Sequence, residues 1–495
     1  MYAHSIQRLR RIGSFVAALV GFALLVVGPA SSQSRPLTTG LADWIDSYPD
    51  PTGALMQAKR AGMTTVDVMI NWAQIAPAAR PPDWSPNDPA DRHYDWSVVD
   101  RDVRTVAAAG LQPLAVVVSA PYWARVLPNY TSSAPTANDF AQFTKAAVTR
   151  YDGRHAGLPR VKYWRIWNEP NISGAFRPQF DPATKRFVSP DLYRELVNRA
   201  AAVIHAAARG NLVIAGGTSP FGDTNIDVRP YDTDWGPLKF MRRLLCVDDL
   251  GRPTCGNRIS FDIWSTHPYT SGGPTHHANG PYDVSLGDLF KMRRTLDAAI
   301  RARHIESTGR VRFWVTEFAW DSNAPDPCAV PIALLKRWVP EALYRMWANG
   351  IEQVSWFKLM DDPMDTSFYQ SGLYFHATTV RAAKAKPFLE GFRFPFVALS
   401  RGRGIFVWAR VPGSRPQWVT IQHASSSGWS YVTTSRADRN GVVQQLLRMR
   451  LDGSFRAVLR NGERSLPFSI SALPDRFFLP FGATVLSPHL SDCVF

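Results

Sequence analysis

Eight short apolar runs, separated by longer segments with helical periodicity, dominate the sequence between about residues 38 and 375. The runs cover residues 38–44, 64–70, 111–119, 162–168, 212–217, 261–267, 311–316 and 352–357. They are rich in β-branched and aromatic residues, which is typical of strands buried on both faces of a parallel sheet. Strands that alternate with helices indicate βα units, and eight such units predict a closed (β/α)8 TIM barrel. We assign this barrel to residues 33–375.

The pattern changes beyond about residue 376. Short apolar runs are now separated by turn residues, including Asn440-Gly441 and Asn461-Gly462, which favour tight connections between antiparallel strands. Residues 376–495 are therefore predicted to form an all-β domain, most simply a β-sandwich.

The N-terminal segment has the pattern of an export signal. Three arginines within the first eleven positions precede an uncharged apolar run over residues 15–28, and small residues follow at 30–32. We predict a cleaved signal peptide over residues 1–32, with an uncleaved membrane anchor as the alternative. The expected location is secreted or periplasmic, in the cell envelope, with no membrane span after cleavage.

The four cysteines, Cys246, Cys255, Cys328 and Cys493, show no metal-ligand spacing. An exported chain meets an oxidising compartment, where cysteines pair. Of the three possible connectivities we favour Cys246 with Cys255 and Cys328 with Cys493.

The formal net charge of +15 favours docking on anionic polymers or envelope surfaces, although solubility alone explains it equally well. Nucleic acid is not a predicted partner, because the basic residues are scattered and form no cluster interleaved with aromatic residues. The sequence gives no indication of an oligomeric state.

Two glutamates, Glu169 and Glu317, stand at the C-terminal ends of separate apolar runs. The carboxyl ends of the strands converge on one face of a parallel barrel, so these side chains are expected to be neighbours in space. Cleavage of a glycosidic bond needs two carboxyl groups: one protonates the leaving oxygen, and the other attacks the anomeric carbon or positions water. Such a pair works without a metal or a cofactor, and we predict neither.

The motifs Trp-Asn-Glu-Pro-Asn at 167–171 and Thr-Glu-Phe at 316–318 resemble the acid/base and nucleophile motifs of clan A glycoside hydrolases, and family 39 most closely. Further matches occur in order along the barrel, at Asn71-Trp72, Tyr94-Asp95-Trp96 and Ser119-Ala120-Pro121-Tyr122-Trp123-Ala124. The resemblance implies a retaining, double-displacement mechanism in which Glu169 is the general acid/base and Glu317 is the nucleophile.

The same resemblance implies several substrate-binding residues. Asn168 would bond the sugar 2-hydroxyl, and the His-x-Tyr motif at 267–269 would place His267 in the site and Tyr269 against the nucleophile. Trp356 is expected to be the platform on which a sugar ring stacks. Two further tryptophans, Trp72 and Trp123, are candidate substrate contacts, with burial in the core as the alternative.

These observations predict a secreted retaining glycoside hydrolase that acts on a polysaccharide, oligosaccharide or glycoside. The positive charge adds the weaker expectation of an acidic or envelope-linked glycan. The competing hypothesis is a non-catalytic carbohydrate-binding envelope protein on a barrel scaffold. The sequence specifies neither the sugar nor the linkage.

Overall fold

The structure, a computed structural model, describes residues 34–471 except residues 156, 182, 223–232 and 368. The predicted signal peptide and Cys493 lie outside the described residues.

Eight parallel strands close into a barrel. In chain order they are β1 (Thr38–Leu41), β2 (Met63–Asn71), β3 (Gln112–Val118), β4 (Tyr163–Ile166), β5 (Leu212–Thr218), β6 (Ile263–Thr266), β7 (Arg312–Phe318) and β8 (Ile351–Trp356). Each strand pairs with the next one along the chain, and β8 pairs with β1 to close the sheet. Every strand overlaps its predicted run, which confirms the (β/α)8 barrel.

Helices follow the strands. They are α1 (Pro51–Arg60), α2 (Ser97–Ala108), α3 (Ala137–Arg150), α4 (Ser189–Ala207), α5 (Pro237–Leu244), α6 (Leu289–Arg301), α7 (Ile332–Ala348) and the short α8 (Leu389–Arg393), with one additional helical turn at Trp72–Ile75. The helix α1 begins after Asp50, whose carboxylate accepts a hydrogen bond of 2.8 Å from the backbone amide of Gly53. This contact satisfies an amide that has no partner within the helix.

The alternation of side chains along β3 separates two apolar layers. Leu114, Val116 and Val118 lie with Trp314 in a cluster inside the barrel, whereas the intervening Val117 belongs to the larger core under the helices. Successive side chains of a strand point to opposite faces, so a barrel strand must be apolar on both. The inside is therefore packed, and room for a ligand exists only at the ends of the strands.

The C-terminal region is antiparallel. Its strands are β9 (Phe396–Arg401), β10 (Gly404–Arg410), β11 (Trp418–Ser425), β12 (Gly428–Arg436), β13 (Val442–Leu447), β14 (Ser454–Leu459) and β15 (Phe468–Ser469). One sheet consists of β9, β10 and β13 in that order, and a second consists of β12, β11, β14 and β15 in that order. The predicted antiparallel sheets are confirmed for the described part of this region from Phe396 onward, and the short helix α8 precedes them. Tyr344 and Trp347 of α7 pack their rings against Trp408 of β10 and so join the barrel to the first sheet.

Three pairs of two-residue strands stiffen the loops: Phe180–Asp181 with Arg186–Phe187, Ile259–Ser260 with Ile305–Glu306, and Ser322–Asn323 with Val330–Pro331. None of the helices in the described part of the chain is both long and apolar enough to cross a bilayer.

Cys246 and Cys255 form a disulfide after α5, with 5.1 Å between their Cα atoms, which confirms the first predicted pairing. The second predicted pair, Cys328 with Cys493, stays a prediction because Cys493 is outside the described residues.

Candidate active site

The two predicted glutamates meet at the carboxyl end of the barrel. Glu169 lies three residues beyond the end of β4, and Glu317 is the penultimate residue of β7. Between them lies His267, the residue that follows β6. Its Nδ1 is 3.0 Å from Glu169 Oε1 and 3.8 Å from Glu317 Oε2. Because both carboxylate oxygens approach the same ring nitrogen, their separation cannot exceed the sum of these two distances.

The imidazole of His267 is completely buried. Burial lowers its pKa to about 4, against the opposing effect of Glu317, so the ring is neutral at neutral pH. Its other nitrogen, Nε2, lies 3.2 Å from Thr316 Oγ1. A threonine hydroxyl can donate or accept, so the ring can carry its proton on Nδ1 when Glu169 is ionised and on Nε2 when Glu169 is protonated. His267 can thus stay bonded to Glu169 in both states.

Tyr269 contacts the other glutamate. Its hydroxyl donates a hydrogen bond of 2.7 Å to Glu317 Oε1, and its ring lies against Phe318. Burial, followed by the charge of Glu317, raises the pKa of Tyr269 well above its ordinary value. The phenol therefore stays protonated and acts as a donor.

Glu169 is held in a form that can give up a proton near neutrality. Burial raises its pKa to about 7; the charge of Arg165 opposes this shift and that of Asp234 adds to it. The side chain is 20% exposed, so a substrate atom can still reach the carboxyl group. A carboxyl group with this pKa is suited to general acid/base chemistry at neutral pH.

The backbone around Glu169 adopts an unusual conformation. Trp167 and Glu169 have φ angles of 66° and 45°, in the left-handed region that residues other than glycine seldom occupy. The amide of Trp167 donates to the carbonyl of Val117, and that of Glu169 donates to the carbonyl of Gly217, both over 3.0 Å. These bonds to the adjacent strands fix the turn, and such strained residues cluster at functional sites.

A cleft of about 310 Å³ opens beside this pair. The described residues that line it are Ala42, Asp43, Trp44, Asp67, Met69, Val118, Ser119, Thr131, Ser132, Arg165, Trp167, Asn168, Gly174, Ala175, Glu317 and Phe357. Asn168 is among these residues, and its Oδ1 accepts no hydrogen bond from the described residues.

Trp356 requires a correction. It is only 1% exposed, its Nε1 donates to the carbonyl of Ser371 over 2.8 Å, and its ring packs on Phe388 and Phe392. It lies under the helices and cannot stack on a sugar in the cleft. Adjacent residues of a strand face opposite ways, and the next residue, Phe357, is the one that lines the cleft.

Trp72 also proves to be a core residue, because it is fully buried and stacks on Phe143 with 5.1 Å between ring centroids. Trp123 is half-buried and donates its Nε1 to the carbonyl of Pro77 over 3.0 Å. Both line a separate cavity of about 260 Å³, and neither lines the cleft that contains Glu317. A tryptophan that does line the cleft is Trp44, which follows β1. Its ring is exposed and contacts the ring of Phe357 edge-on.

Sequence reasoning missed an ion pair inside the barrel. Arg165 of β4 places Nη1 3.2 Å from Asp67 Oδ2 of β2, and the same nitrogen donates to the carbonyl of Thr316 over 3.4 Å. Burial raises the pKa of Asp67 to about 7; Arg165 lowers it, and Glu317 and Asp43 raise it further. The available signal was a charged residue in the middle of each of two apolar runs, because such a residue must find a partner.

Among the described residues, no group of three or more His, Cys, Asp or Glu side chains is arranged to hold a metal ion.

No family model and no curated protein matches the chain. Solved structures similar to it include a family 39 glycoside hydrolase from Bacteroides cellulosilyticus, with 16% identity, coverage of 83% of this chain and 79% of that chain, and a TM-score of 0.47. A glucosidase from Croceicoccus marinus has 15% identity, coverage of 83% and 92%, and a TM-score of 0.40. The catalytic domain of a family 30 xylanase from Talaromyces cellulolyticus has 11% identity, coverage of 84% and 95%, and a TM-score of 0.43. At these TM-scores the likeness carries no argument about function.

Proposed function

We propose that this chain is a retaining glycoside hydrolase. The observation that carries the proposal is the contact of one buried imidazole, that of His267, with the carboxyl groups of both Glu169 and Glu317. Glycosidic cleavage requires two carboxyl groups. Here they come from different strands and lie at the end of the barrel where active sites occur.

The spacing of the carboxyl groups supports retention of configuration. Their two contacts with His267 Nδ1 limit the separation of the oxygens to less than about 7 Å, where retaining enzymes need about 5–5.5 Å and inverting enzymes about 6.5–9.5 Å. The limit applies to the two oxygens nearest His267, and it includes both the retaining distance and the short end of the inverting range.

In the first step a Glu317 carboxylate oxygen attacks the anomeric carbon, and the bond from that carbon to the leaving oxygen breaks. Glu169 gives its proton to the leaving oxygen, so a glycosyl ester on Glu317 and a free alcohol result. In the second step the ionised Glu169 takes a proton from water. The water oxygen attacks the anomeric carbon and releases Glu317.

The neighbouring groups support these roles. The hydroxyl of Tyr269 holds Glu317 in place, and His267 can stay bonded to Glu169 whether that residue is protonated or ionised. Asn168 lines the cleft, which supports its assignment to a hydroxyl group of the sugar.

We further propose that the enzyme is exported. The N-terminal pattern and the disulfide of Cys246 with Cys255 support an oxidising compartment. The net positive charge supports docking on an acidic or envelope-linked polymer through the outer surface. Sequencing of the N-terminus of the protein recovered from cell fractions tests export: a start near residue 33 is expected, and an intact N-terminus in the cytoplasm would contradict it.

The central experiment measures reducing-sugar release from a panel of aryl glycosides and of bacterial and plant polysaccharides. Wild type is compared with Glu169→Gln, Glu317→Gln and the control Glu306→Gln, whose side chain is exposed and does not line the cleft. We expect wild type and the control to be active and Glu169→Gln and Glu317→Gln to be inactive. A wild type that binds a glycan but never releases reducing ends would instead favour the carbohydrate-binding protein.

A second experiment separates the two glutamates. Glu317→Ala is expected to lose nearly all turnover and to regain it with azide, which yields a glycosyl azide of inverted configuration. Glu169→Ala should retain activity on substrates with good leaving groups and lose it on those with poor ones, because protonation matters least when the leaving group is already stable as an anion. Equal losses on both substrate types would contradict the acid assignment.

A further inference from the structure

The second C-terminal sheet has one face on the core and one face toward solvent. Val419 and Ile421 of β11 are fully buried, whereas Trp418 of the same strand is 42% exposed. Successive side chains of a strand point to opposite faces, so Trp418 marks the outer face. On the inner side, Ser435 of β12 donates a hydrogen bond to Gln445 of β13 in the first sheet. The outer face therefore points away from the first sheet.

Two arginines of this outer face each lie over a tryptophan ring. The guanidinium carbon of Arg456 is 4.1 Å from the ring centroid of Trp429, and that of Arg460 is 5.9 Å from the ring centroid of Trp418. Arg456 belongs to β14, and Arg460 directly follows that strand. The two arginines are four residues apart, which is about 13 Å in extended chain. The two arginine–tryptophan pairs are thus spaced along the direction of the strands.

The contacts of Arg456 orient its guanidinium group. Nε donates a hydrogen bond of 2.9 Å to Gln422 Oε1 of β11, and the ring of Trp429 lies against the guanidinium plane. Neither Nη group has a hydrogen-bond partner among the residues that the structure describes. A guanidinium held in this way presents N–H donors in the fork geometry that binds a carboxylate through two hydrogen bonds.

The positive charge of the outer face is not balanced by carboxylates. The strands β11, β12, β14 and β15 contain no aspartate or glutamate. Arg464 is the antiparallel bridge partner of Val458, which lies two residues from Arg456, so its side chain belongs to the same face. Burial, and then the charge of Arg464, lowers the pKa of Arg456. The acid in the adjoining turn, Glu463, pairs with Arg393 instead. Arginines left together in this way complement a polyanion.

We propose, on the basis of the proposed function, that the outer face is a binding site for an acidic polysaccharide, formed by Trp418, Trp429, Arg456, Arg460 and Arg464. The arginines bind carboxylates of the polymer. The tryptophans orient two of the arginines and add apolar area for the C–H groups of the sugar rings. A single sugar unit cannot reach both arginine–tryptophan pairs, so the ligand is a chain with acidic groups at intervals.

Single-stranded nucleic acid is the other polyanion that binds to aromatic and arginine side chains. It stacks its bases on bare aromatic rings, whereas on this face an arginine lies over each of the two tryptophans. The hydroxyl groups of Thr420 and Thr434 lie 3.3 Å apart on the same sheet and are exposed. Hydroxyl groups both donate and accept, as the hydroxyl groups of a sugar require. These features favour the polysaccharide, and the test includes both polymers.

The test measures equilibrium binding to polygalacturonate and to hyaluronate, each compared with its methyl ester, which is the same polymer without the charge. Wild type is expected to bind at least one acidic polymer about tenfold or more tightly than its ester. Arg456→Gln/Arg464→Gln should weaken this binding by about tenfold, because charge-assisted hydrogen bonds to the carboxylates are lost.

The matched control is Arg209→Gln/Arg301→Gln. It removes the same charge from exposed positions on the barrel, and the described residues show no ion pair at either of them. Its binding should stay within about twofold of wild type, because charges distant from a site are screened by salt. Equal losses in the two double variants would overturn the proposal, since the net charge of the chain would then account for the affinity.

Two further outcomes would overturn the proposal. One is equal binding of each acidic polymer and its ester by wild type, a comparison that needs no variant to fold. The other is tighter binding of a single-stranded oligonucleotide than of either acidic polymer, which would assign the outer face to nucleic acid.

The inference and the proposed function fail in different ways. Binding of a polymer to the outer face needs no turnover. If wild type prefers an acidic polymer but cleaves no glycoside or polysaccharide, the proposed function fails and the binding site stands. If wild type cleaves a glycoside but binds acidic and esterified polymers equally, only the binding site is wrong.

Discussion

The hydroxyl of Tyr269 donates a hydrogen bond of 2.7 Å to Glu317 Oε1. The two side chains come from neighbouring strands, since Tyr269 lies three residues beyond β6 and Glu317 is the penultimate residue of β7. The bond fixes one carboxylate oxygen and leaves the other, Oε2, on the side of His267. A nucleophile held in this way is oriented before the substrate arrives.

Tyr269→Phe removes this donor and leaves the ring in place. A hydrogen bond to a charged group contributes about 1.5–3 kcal/mol, so kcat should fall by about 10- to 100-fold. Steady-state kinetics on the best aryl glycoside would measure the loss. The control is Tyr431→Phe on β12, whose hydroxyl is exposed. Unchanged kcat in Tyr269→Phe would show that the tyrosine does not position Glu317.

The pH dependence of kcat/KM should have a basic limb near pH 7. Burial raises the pKa of Glu169 to about 7, so the protonated acid is lost as the pH rises through that value. With a 2,4-dinitrophenyl leaving group, which needs little protonation, the limb should flatten. A pH profile that stays level to pH 9 with a poor leaving group would remove Glu169 from the role of acid.

The same pKa shift predicts a pH-dependent stability difference. Folding raises the pKa of Glu169 from 4.5 to about 7, so the folded state binds a proton more tightly than the unfolded state does. The stability that this proton binding provides is present below about pH 4.5 and is lost as the pH approaches 7. Glu169→Gln stays neutral. Its free energy of unfolding should therefore rise relative to wild type across this window, by up to about 3 kcal/mol.

Thermal or urea unfolding of both proteins from pH 4 to pH 8 measures this difference. Glu306→Gln, on an exposed strand end, should track wild type throughout. A Glu169→Gln variant that is less stable than wild type at pH 8 would show that contacts of the carboxylate outweigh its burial.

The strands and the catalytic pair were predictable because they depend on local patterns. β-branched and aromatic runs mark buried strands, and the convergence of strand ends in a parallel barrel then brings Glu169 and Glu317 together whatever their separation along the chain. The positions of His267 and Tyr269 came from the resemblance of the His-x-Tyr motif, which begins at the last residue of a predicted strand.

The sequence pattern alone does not predict which face of the sheet each tryptophan side chain points to. A barrel strand is apolar on both faces, so Trp356 and Phe357 are equally plausible cleft residues in the sequence, and only the closed sheet shows which of them faces the cleft. The pairing of Asp67 with Arg165 depends on contacts across the barrel, which the sequence alone does not contain.

Trp44 and Trp356 should therefore respond in opposite ways. Trp44→Ala removes a ring that is 43% exposed at the cleft, so KM should rise with little change in stability. Trp356→Ala empties a site in the core and should cost about 3–5 kcal/mol of unfolding free energy. Steady-state kinetics and urea unfolding of both variants separate the two effects. A raised KM confined to Trp356→Ala would restore that residue as the sugar platform.

A buried ion pair anchors the loop that follows β8. Lys386 places Nζ 2.6 Å from Asp361 Oδ1, and both side chains are fully buried. The ammonium also donates to the carbonyl of Gln370, and the same carboxylate oxygen accepts from the amide of Gly372. The loop thereby closes on itself around two charges.

Lys386→Met should destabilise the protein by about 3–5 kcal/mol, because it leaves the carboxylate of Asp361 buried without its partner. The double variant Lys386→Met/Asp361→Asn should recover much of this loss, since the amide oxygen of the asparagine is neutral and can still accept the hydrogen bond from Gly372. Urea unfolding of the two variants measures the recovery, with Lys384→Met, at an exposed position two residues away, as the control. If the double variant is no more stable than Lys386→Met, the unpaired charge of Asp361 is not the reason that the loss of Lys386 is destabilising. The lysine then stabilises the loop through its bond to Gln370 and its packing.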